Sequence, residues 1–340
     1  MKILMVMDPG IPVPPKGYGG HERLVYMFAK EYHRLGHDIT LLVSPGSEFP
    51  EGRVVTFGKD GYPKPKWEGR KDIFRAWKYL IPHHKEYDLI HNFGRLAYLL
   101  PCLNSRVKKI MTYGREVDSS NISFINKLPN RNLVFTASSD DCVSSGNVAG
   151  RWVTVYNAID FSKYTPTEAV TSDAPLMFLS RLERVKGCHV AIDVAKKTGI
   201  PLIIAGNISK LPEELDYFNN EIKPHIDGVQ IKYVGTVDDE QKNYYLSRAR
   251  ALLFPIDVRE AFGMVMAEAM ACGTPVIGFP MGAVPEVIVG GVNGYLVNNK
   301  EEMIDAVKKI PAIDRVKCRE NAEARFDVKV LAAQYLNLFS

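Results

Sequence analysis

Short apolar runs punctuate the chain, and segments of helical period separate them. The first half holds KILMVM, DITLLV, DLIHNF, KKIMTY and NLVFTAS; the second holds PLMFLS, PLIIAG, VQIKYVG, ALLFPI and TPVIGF. Between them lie stretches such as HERLVYMFAKEYHRLG and HVAIDVAKKTG, periodic in the helical sense. Apolar strands alternating with helices predict parallel sheets built from βαβ units, an α/β fold. The series restarts near residue 175, after NAIDFSKYTPTEAVTSDAP, a loop-like stretch rich in Thr, Ser and Pro. Two such domains in tandem are therefore expected, with a ligand cleft between the carboxyl ends of their sheets.

A length of 340 residues leaves each domain enough chain for its own core. Apolar content of 46% and charged content of 24% are those of a soluble globular protein. No run approaches the roughly 18 apolar residues of a membrane helix. The opening MKILMVMDPG meets Pro9-Gly10 too soon for a secretory signal and reads as a buried first strand. Five cysteines (Cys102, Cys142, Cys188, Cys272, Cys318) are scattered without a CxxC pair, which fits a reducing, cytoplasmic setting and no metal site. The net charge of +4 is uneven: residues 1–160 carry 22 Lys and Arg against 16 Asp and Glu, and residues 161–340 carry 21 against 23. No nucleic-acid partner is expected. The excess centres on KPKWEGRKDIFRAWKYL, which suits either an anionic membrane surface or acidic acceptor, or an ordinary amphipathic helix with Phe74, Trp77 and Leu80 in the core.

Four local features belong at the carboxyl ends of strands. PPKGYGGHER follows the first strand, and Gly17, Gly19 and Gly20 let backbone N–H groups approach a ligand at the start of a helix near His21. It is not a GxGxxG, and no acid ends the second strand to hold a ribose. SRLERVKG follows PLMFLS; Arg181 can fork onto two phosphate oxygens and Lys186 adds a point charge. EAFGMVMAEAMACGTPVIG places Glu260 before a nearly apolar helix and Glu268 on it, roughly 8–12 Å apart, with the N–H groups of Gly263, Met264 and Val265 at the helix start. A carboxylate on a buried helix needs a partner, either a ligand or a neighbouring Arg or backbone group. The fourth, GFPMGAVPEVIVGGVNGYLV, reads as a strand-to-helix loop that Glu286 caps or orders.

Together these residues resemble the family 4 retaining glycosyltransferases, whose GT-B fold sets two Rossmann-like domains face to face. The likeness covers nearly the whole chain: Ser180-Arg181-Leu182 to Lys186-Gly187, Glu260 to Glu268 as an E-x7-E motif, and FGMV and ACGTPVI after it. It implies an N-terminal acceptor-side domain over 1–160, a nucleotide-sugar domain over 161–322, and a closing helix over 323–340, FDVKVLAAQYLNLF, that crosses back to the first domain. By resemblance Arg181 and Lys186 hold the donor diphosphate, Glu260 the hexose and Glu268 the ribose. Gly19 and Gly20 approach the diphosphate, Val237 of VGTV lies where the base is read, and the backbone from Phe262 to Val265 completes the donor site. Two departures stand out: MTYGRE puts Tyr113 where many members have a His, with His91 as a substitute, and the interdomain Pro-Asn-Gly reads Tyr156-Asn157-Ala158.

The implied reaction moves a hexose from a UDP- or GDP-sugar to a sugar, lipid-linked or small-molecule acceptor with retention, without cofactor or metal, in the cytoplasm or at the inner face of the membrane. Departing diphosphate gathers negative charge that Arg181, Lys186 and the helix start at 262–265 would stabilise. No DxD motif is present, and no general base is assigned. A retaining phosphorylase, a sugar-nucleotide-binding module without turnover and a nicotinamide dehydrogenase are the alternatives; the missing fingerprint counts against the last.

Overall fold

A computed structural model describes the chain except Tyr18, Tyr62, Arg115, Glu116, Asp118 and Ser340. The chain divides into one unit of Met1–Ala158 with Val328–Ser340 and another of Ile159–Asp327. The closing segment, expected as one helix, is two: α11 (Arg315–Phe326) in the second unit and α12 (Val328–Leu336) in the first. Asp327 breaks them, with extended backbone at φ −64° and ψ 138°.

Among the described residues the first unit holds β1 (Lys2–Val6), β2 (Asp38–Val43), β3 (Arg53–Thr56), β4 (Leu89–Asn92), β5 (Lys108–Tyr113), β6 (Leu133–Ala137) and β7 (Trp152–Thr154). They form one parallel sheet in the order β3-β2-β1-β4-β5-β6-β7. Ile3, Leu4, Met5 and Val6 are fully buried because helices cover both faces of the centre. The helices are α1 (Gly20–Arg34), α2 (Lys66–His83), α3 (Ser119–Ile125) and α4 (Asp140–Gly146), joined by α12. α1 buries Leu24, Val25, Phe28, Ala29 and Tyr32 on one stripe, the period its sequence predicts.

The second unit holds β8 (Leu176–Leu179), β9 (Leu202–Ala205), β10 (Ile231–Tyr233), β11 (Ala251–Phe254), β12 (Val276–Gly278) and β13 (Gly294–Leu296), parallel in the order β10-β9-β8-β11-β12-β13. Its helices are α5 (Cys188–Thr198), α6 (Pro212–Tyr217), α7 (Asp239–Arg248), α8 (Met264–Ala271), α9 (Val284–Val287) and α10 (Lys300–Lys309), with α11. Both units reverse strand direction of travel at one place, β1/β4 in the first and β8/β11 in the second. At such a switch point successive loops diverge and leave a crevice at the carboxyl ends of the strands. Arg315 ties the second unit together: its buried guanidinium donates to the carbonyls of Thr167, Ala249 and Ser247 and to the Thr274 hydroxyl.

The basic segment is α2, and its packing corrects one expectation. Leu80 is buried and Trp77 half-buried, its indole N–H donating to the Ala97 carbonyl at 2.9 Å, but Phe74 is 66% exposed. The residues that face inward instead are Gly69, Ala76 and Leu80. Among the described residues no helix is long and apolar enough to cross a membrane.

His91 lies in a buried polar chain. Its Nδ1 meets the Tyr32 hydroxyl at 3.1 Å and its Nε2 the Thr112 hydroxyl at 2.8 Å; Thr112 in turn meets Thr136 at 2.8 Å and Tyr335 of α12 at 3.4 Å. Burial pushes the imidazole down to about 3 from an ordinary 6.5. Below about pH 6.5 the unfolded residue takes a proton that the native one refuses, so acid favours unfolding. Stability complete above about pH 6.5 should drain away toward pH 3, by up to about 1.4 kcal/mol per pH unit. His91→Asn lacks this component. The wild-type advantage over it in urea denaturation should be largest near neutral pH and shrink on acidification; a pH-independent advantage would contradict a neutral buried imidazole.

Candidate functional site

The two loops at the β8/β11 switch point carry most of the candidate residues. After β8 the chain stays close to β9: the Leu182 N–H donates to Asn207 O at 3.0 Å, and a Cβ on Gly206 would stand 1.7 Å from Ser180 O. Arg184–Lys186 then makes a single 3-10 turn that ends at Gly187, φ 77°. A Cβ on Gly187 would lie 2.1 Å from the Pro255 carbonyl oxygen, just after β11. Only glycine permits this approach, and the left-handed φ demands it as well. The Asp257 N–H adds a hydrogen bond of 2.8 Å to Val185 O. Two loops from different strands are thereby joined through their backbones.

That junction sets up a side-chain contact. Lys186 Nζ lies 2.9 Å from Glu260 Oε2, with the two side chains 14% and 21% exposed. Glu260 is held from its other side, where the Ala283 N–H donates to its carbonyl at 2.8 Å. Gly282, φ 61°, leaves room for that; a Cβ there would come within 2.5 Å of the Glu260 nitrogen. The segment read from sequence as a loop ordered by Glu286 thus braces Glu260 through Gly282 and Ala283. Arg181 sits at the rim of the same loop, its side chain 51% exposed and its guanidinium 2.6 Å from Glu183.

Gly263, φ 77° and without a capping side chain, opens α8. The first N–H groups of a helix have no carbonyl one turn earlier, so this end offers Met264 and Val265 as donors to an anion. Phe262 turns inward, 1% exposed and edge-on to Phe326 with centroids 5.3 Å apart, so its ring is not presented to a ligand. Glu268, 13% exposed, already has protein partners: its Oε1 accepts from Lys242 Nζ at 2.6 Å and from the Tyr164 hydroxyl at 3.1 Å. Burial first, and the Glu268 charge second, push the Tyr164 phenol far up, so it remains a donor. Half-buried Val237 immediately precedes Asp238, which caps α7, the helix that bears Lys242. Lys242 and Tyr164 were not foreseen; Lys242 is one charge on a largely polar helix, and Tyr164 lies in the segment read as a linker.

Gly19 and Gly20 belong to the first unit, where the β1/β4 switch point carries a cavity of about 750 Å³. Asp8 and Gly10 follow β1, Arg95 follows β4, and His21 and Glu22 stand on the first turn of α1. Asp8 Oδ1 accepts from the Tyr98 hydroxyl at 2.6 Å and lies 3.5 Å from Arg95 Nε. Burial raises the Glu22 carboxyl above its usual range, and the nearby Asp8 charge adds to it. Of the two aromatic candidates, Tyr113 lines the cavity and His91 does not, being sealed in the polar chain beneath. An imidazole does reach this place by another route. His21 lies against Gly114, where a Cβ would come 2.0 Å from its Nε2. Asp8, His21 and Arg95 escaped the sequence reading, although Asp8 and Arg95 each follow a central strand. Arg115 and Glu116 of MTYGRE lie outside the described residues. Among the described residues, no three His, Cys, Asp or Glu side chains are grouped to hold a metal ion.

Known proteins resemble the chain in sequence and in fold. A family model described as glycosyl transferases group 1 matches residues 166–325, and one described as glycosyltransferase family 4 matches residues 18–114. An uncharacterised 41.2 kDa protein of the Klebsiella pneumoniae cps region is 25% identical over 220 residues, covering 58% of this chain and 57% of that protein, somewhat over half of each. The O-antigen chain mannosyltransferase C of Escherichia coli is 22% identical over 364 residues, 96% of this chain and 95% of that protein. HepE of Anabaena, solved in complex with UDP and glucose, has the same fold with a TM-score of 0.72 at 19% identity, covering 99% of this chain and 98% of its own.

The glycine junction can be tested on stability alone. Gly187→Ala should cost about 1–3 kcal/mol in urea denaturation, from left-handed strain together with the clash on Pro255. Gly199, φ 71°, ends α5 with nothing near its missing Cβ. Gly199→Ala should therefore cost only the strain, about 1 kcal/mol. Equal costs would mean that Pro255 does not constrain the turn.

Proposed function

The chain belongs to the family 4 glycosyltransferases, and from that premise we propose that it is a retaining enzyme transferring a hexose from a UDP- or GDP-sugar. The acceptor is a sugar, lipid-linked or small-molecule substrate that meets the first unit at its cavity. One observation carries the reading: a lysine and a glutamate, brought to 2.9 Å by two loops at the β8/β11 switch point, beside the bare N-terminus of α8. The complex of HepE with UDP and glucose, and the mannosyltransferase named above, support a nucleotide-sugar donor and a sugar acceptor.

Breaking the anomeric C–O bond leaves negative charge on the diphosphate and positive charge on the sugar. Lys186, Arg181 and the N–H groups of Met264 and Val265 would stabilise the first, in the part of the reaction where charge develops most. These cations supply the electrostatics without a metal ion. Glu260, released from Lys186 as phosphate takes its place, would accept hydrogen bonds from hexose hydroxyls. Glu268 would do so for the ribose diol, held in position by Lys242 and Tyr164. The acceptor attacks the face that the diphosphate leaves, and a phosphate oxygen takes its proton; no side chain is assigned as general base.

Screening UDP-, GDP- and ADP-sugars by thermal shift identifies the donor, since a ligand raises stability by RT ln(1 + [L]/Kd). With that donor, Lys186→Ala or Arg181→Ala should lower kcat by about 100-fold or more. Near-normal turnover in both variants would sink the diphosphate assignment.

The two glutamates are separable by what they bind. Glu268→Gln should weaken the free nucleotide and the sugar nucleotide together. Glu260→Gln should reduce kcat well beyond any rise in donor KM and leave affinity for the free nucleotide held or raised, because Lys186 then has no rival for phosphate. Loss of free-nucleotide binding in Glu260→Gln would reverse the assumed orientation of the donor.

A further inference from the structure

α2 has an outer face that its own packing does not require. Its inner side is complete: Ala76 and Leu80 are buried, Gly69 lies so near Arg95 that a Cβ would come 2.2 Å from the guanidinium, and Ile73 lines the cavity. Both of its carboxylates also turn inward. Glu68 and Asp72 are 6% and 2% exposed, and each pairs with Arg75, at 2.6 and 2.7 Å; Asp72 also meets Lys64 at 3.2 Å.

What remains outside is of two kinds only. Trp67, Phe74 and Ile81 are 57%, 66% and 59% exposed. They recur every seven residues, two turns less about 20°, and so form one stripe along the helix. Lys66, Arg70, Lys71 and Lys78 are exposed beside the stripe, with Lys66 and Arg70 on one flank and Lys71 and Lys78 on the other. The Lys71 ammonium lies 4.6 Å from the centre of the Trp67 ring. The remaining exposed residue of the helix is Pro82.

We propose that this face seats α2 in the interface of an anionic lipid bilayer, with Trp67, Phe74 and Ile81 entering the headgroup–acyl boundary and the four cations meeting lipid phosphates. An apolar stripe flanked by Lys and Arg is the composition of an interfacial helix, and Trp favours that boundary because its ring is apolar and its N–H polar. A second copy of the chain fits less well: a two-fold contact would set these cations against their own copies with no carboxylate to answer them. Since Ile73 of α2 also lines the cavity, binding would hold the cavity beside the membrane. This contact does not depend on the transferase reading, because vesicle binding needs neither donor nor acceptor.

The test is co-sedimentation of the full chain with phosphatidylcholine vesicles, with and without phosphatidylglycerol. Binding should need the anionic lipid and weaken steeply toward about 1 M salt, where the screening length falls to about 3 Å. Lys71→Glu with Lys78→Glu should weaken it by at least about five-fold per position. Phe74→Ser with Ile81→Ser should weaken binding by about ten-fold or more through lost apolar burial. All four positions are exposed, so unchanged melting temperatures are expected. A blue shift of tryptophan emission on binding should be smaller in Trp67→Phe. No binding to anionic vesicles at low salt overturns the proposal, as does binding that both double variants leave intact. So does an oligomer in gel filtration that Phe74→Ser with Ile81→Ser dissociates, which would assign the face to self-association.

Discussion

The contact of Gly187 with the Pro255 carbonyl is the constraint on which the candidate donor site depends. A parallel sheet sends the loops after β8 and β11 apart, over different helices, and nothing in that topology brings a cation of one to a carboxylate of the other. Backbone contact does. With the turn at Gly187 resting on Pro255 and the Asp257 N–H bonded to Val185 O, Lys186 has one direction in which to extend. Glu260 is fixed in turn by Gly282 and Ala283 behind it. The lysine–glutamate pair is therefore the last step of a backbone arrangement, since for side chains only 14% and 21% exposed the cost of desolvation offsets much of their attraction.

Charge balance follows the same logic across the second unit. Each candidate carboxylate has a lysine within hydrogen-bond reach, Lys186 for Glu260 and Lys242 for Glu268. Neither acid sits alone in an apolar place, where its charge would cost several kcal/mol. Under the proposed reading the two pairs are used differently. A diphosphate competes with Glu260 for Lys186 and frees the carboxylate for hydroxyls. Lys242 and the Tyr164 phenol both take Oε1 of Glu268, so they can orient that carboxylate while a diol approaches its other oxygen. The alternative raised by the sequence, a buried glutamate satisfied by the protein itself, thus holds for Glu268 in part, and under the proposed reading its role in binding rests on the oxygen that Lys242 and Tyr164 do not take.

The sequence was legible where burial forces a pattern. Central strands such as KILMVM and ALLFPI are covered on both faces and must be continuously apolar, so both sheets could be read. β3, β7 and β13, each at an edge and only partly buried, carry no such run and went unseen. Arg181, Lys186, Glu260 and Glu268 stood out because a charge at the end of a buried strand or on an apolar helix contradicts its surroundings. Their partners did not stand out, since Lys242 on a polar helix contradicts nothing. The choice between Tyr113 and His91 was beyond sequence for a geometric reason: both lie near strand ends, and β-strand alternation turns one to the cavity and the other to the sheet's covered face.

α2 shows why the sign of a patch matters more than its size. A solvated helix gains stability from Glu and Lys placed four apart on its outer face, a few tenths of a kcal/mol per pair. α2 has both charges and could have made such pairs in the open. Its acids are instead spent inward on Arg75 and Lys64, and its outer cations are left beside exposed Trp67, Phe74 and Ile81. Folding explains the inward half of this separation, because Glu68 and Asp72 need counter-ions once buried. It does not explain three large apolar side chains kept in water on the opposite stripe, which contribute nothing to the first unit's core. Such a surface suits a partner that is apolar and negative, and under the proposal a bilayer interface is both.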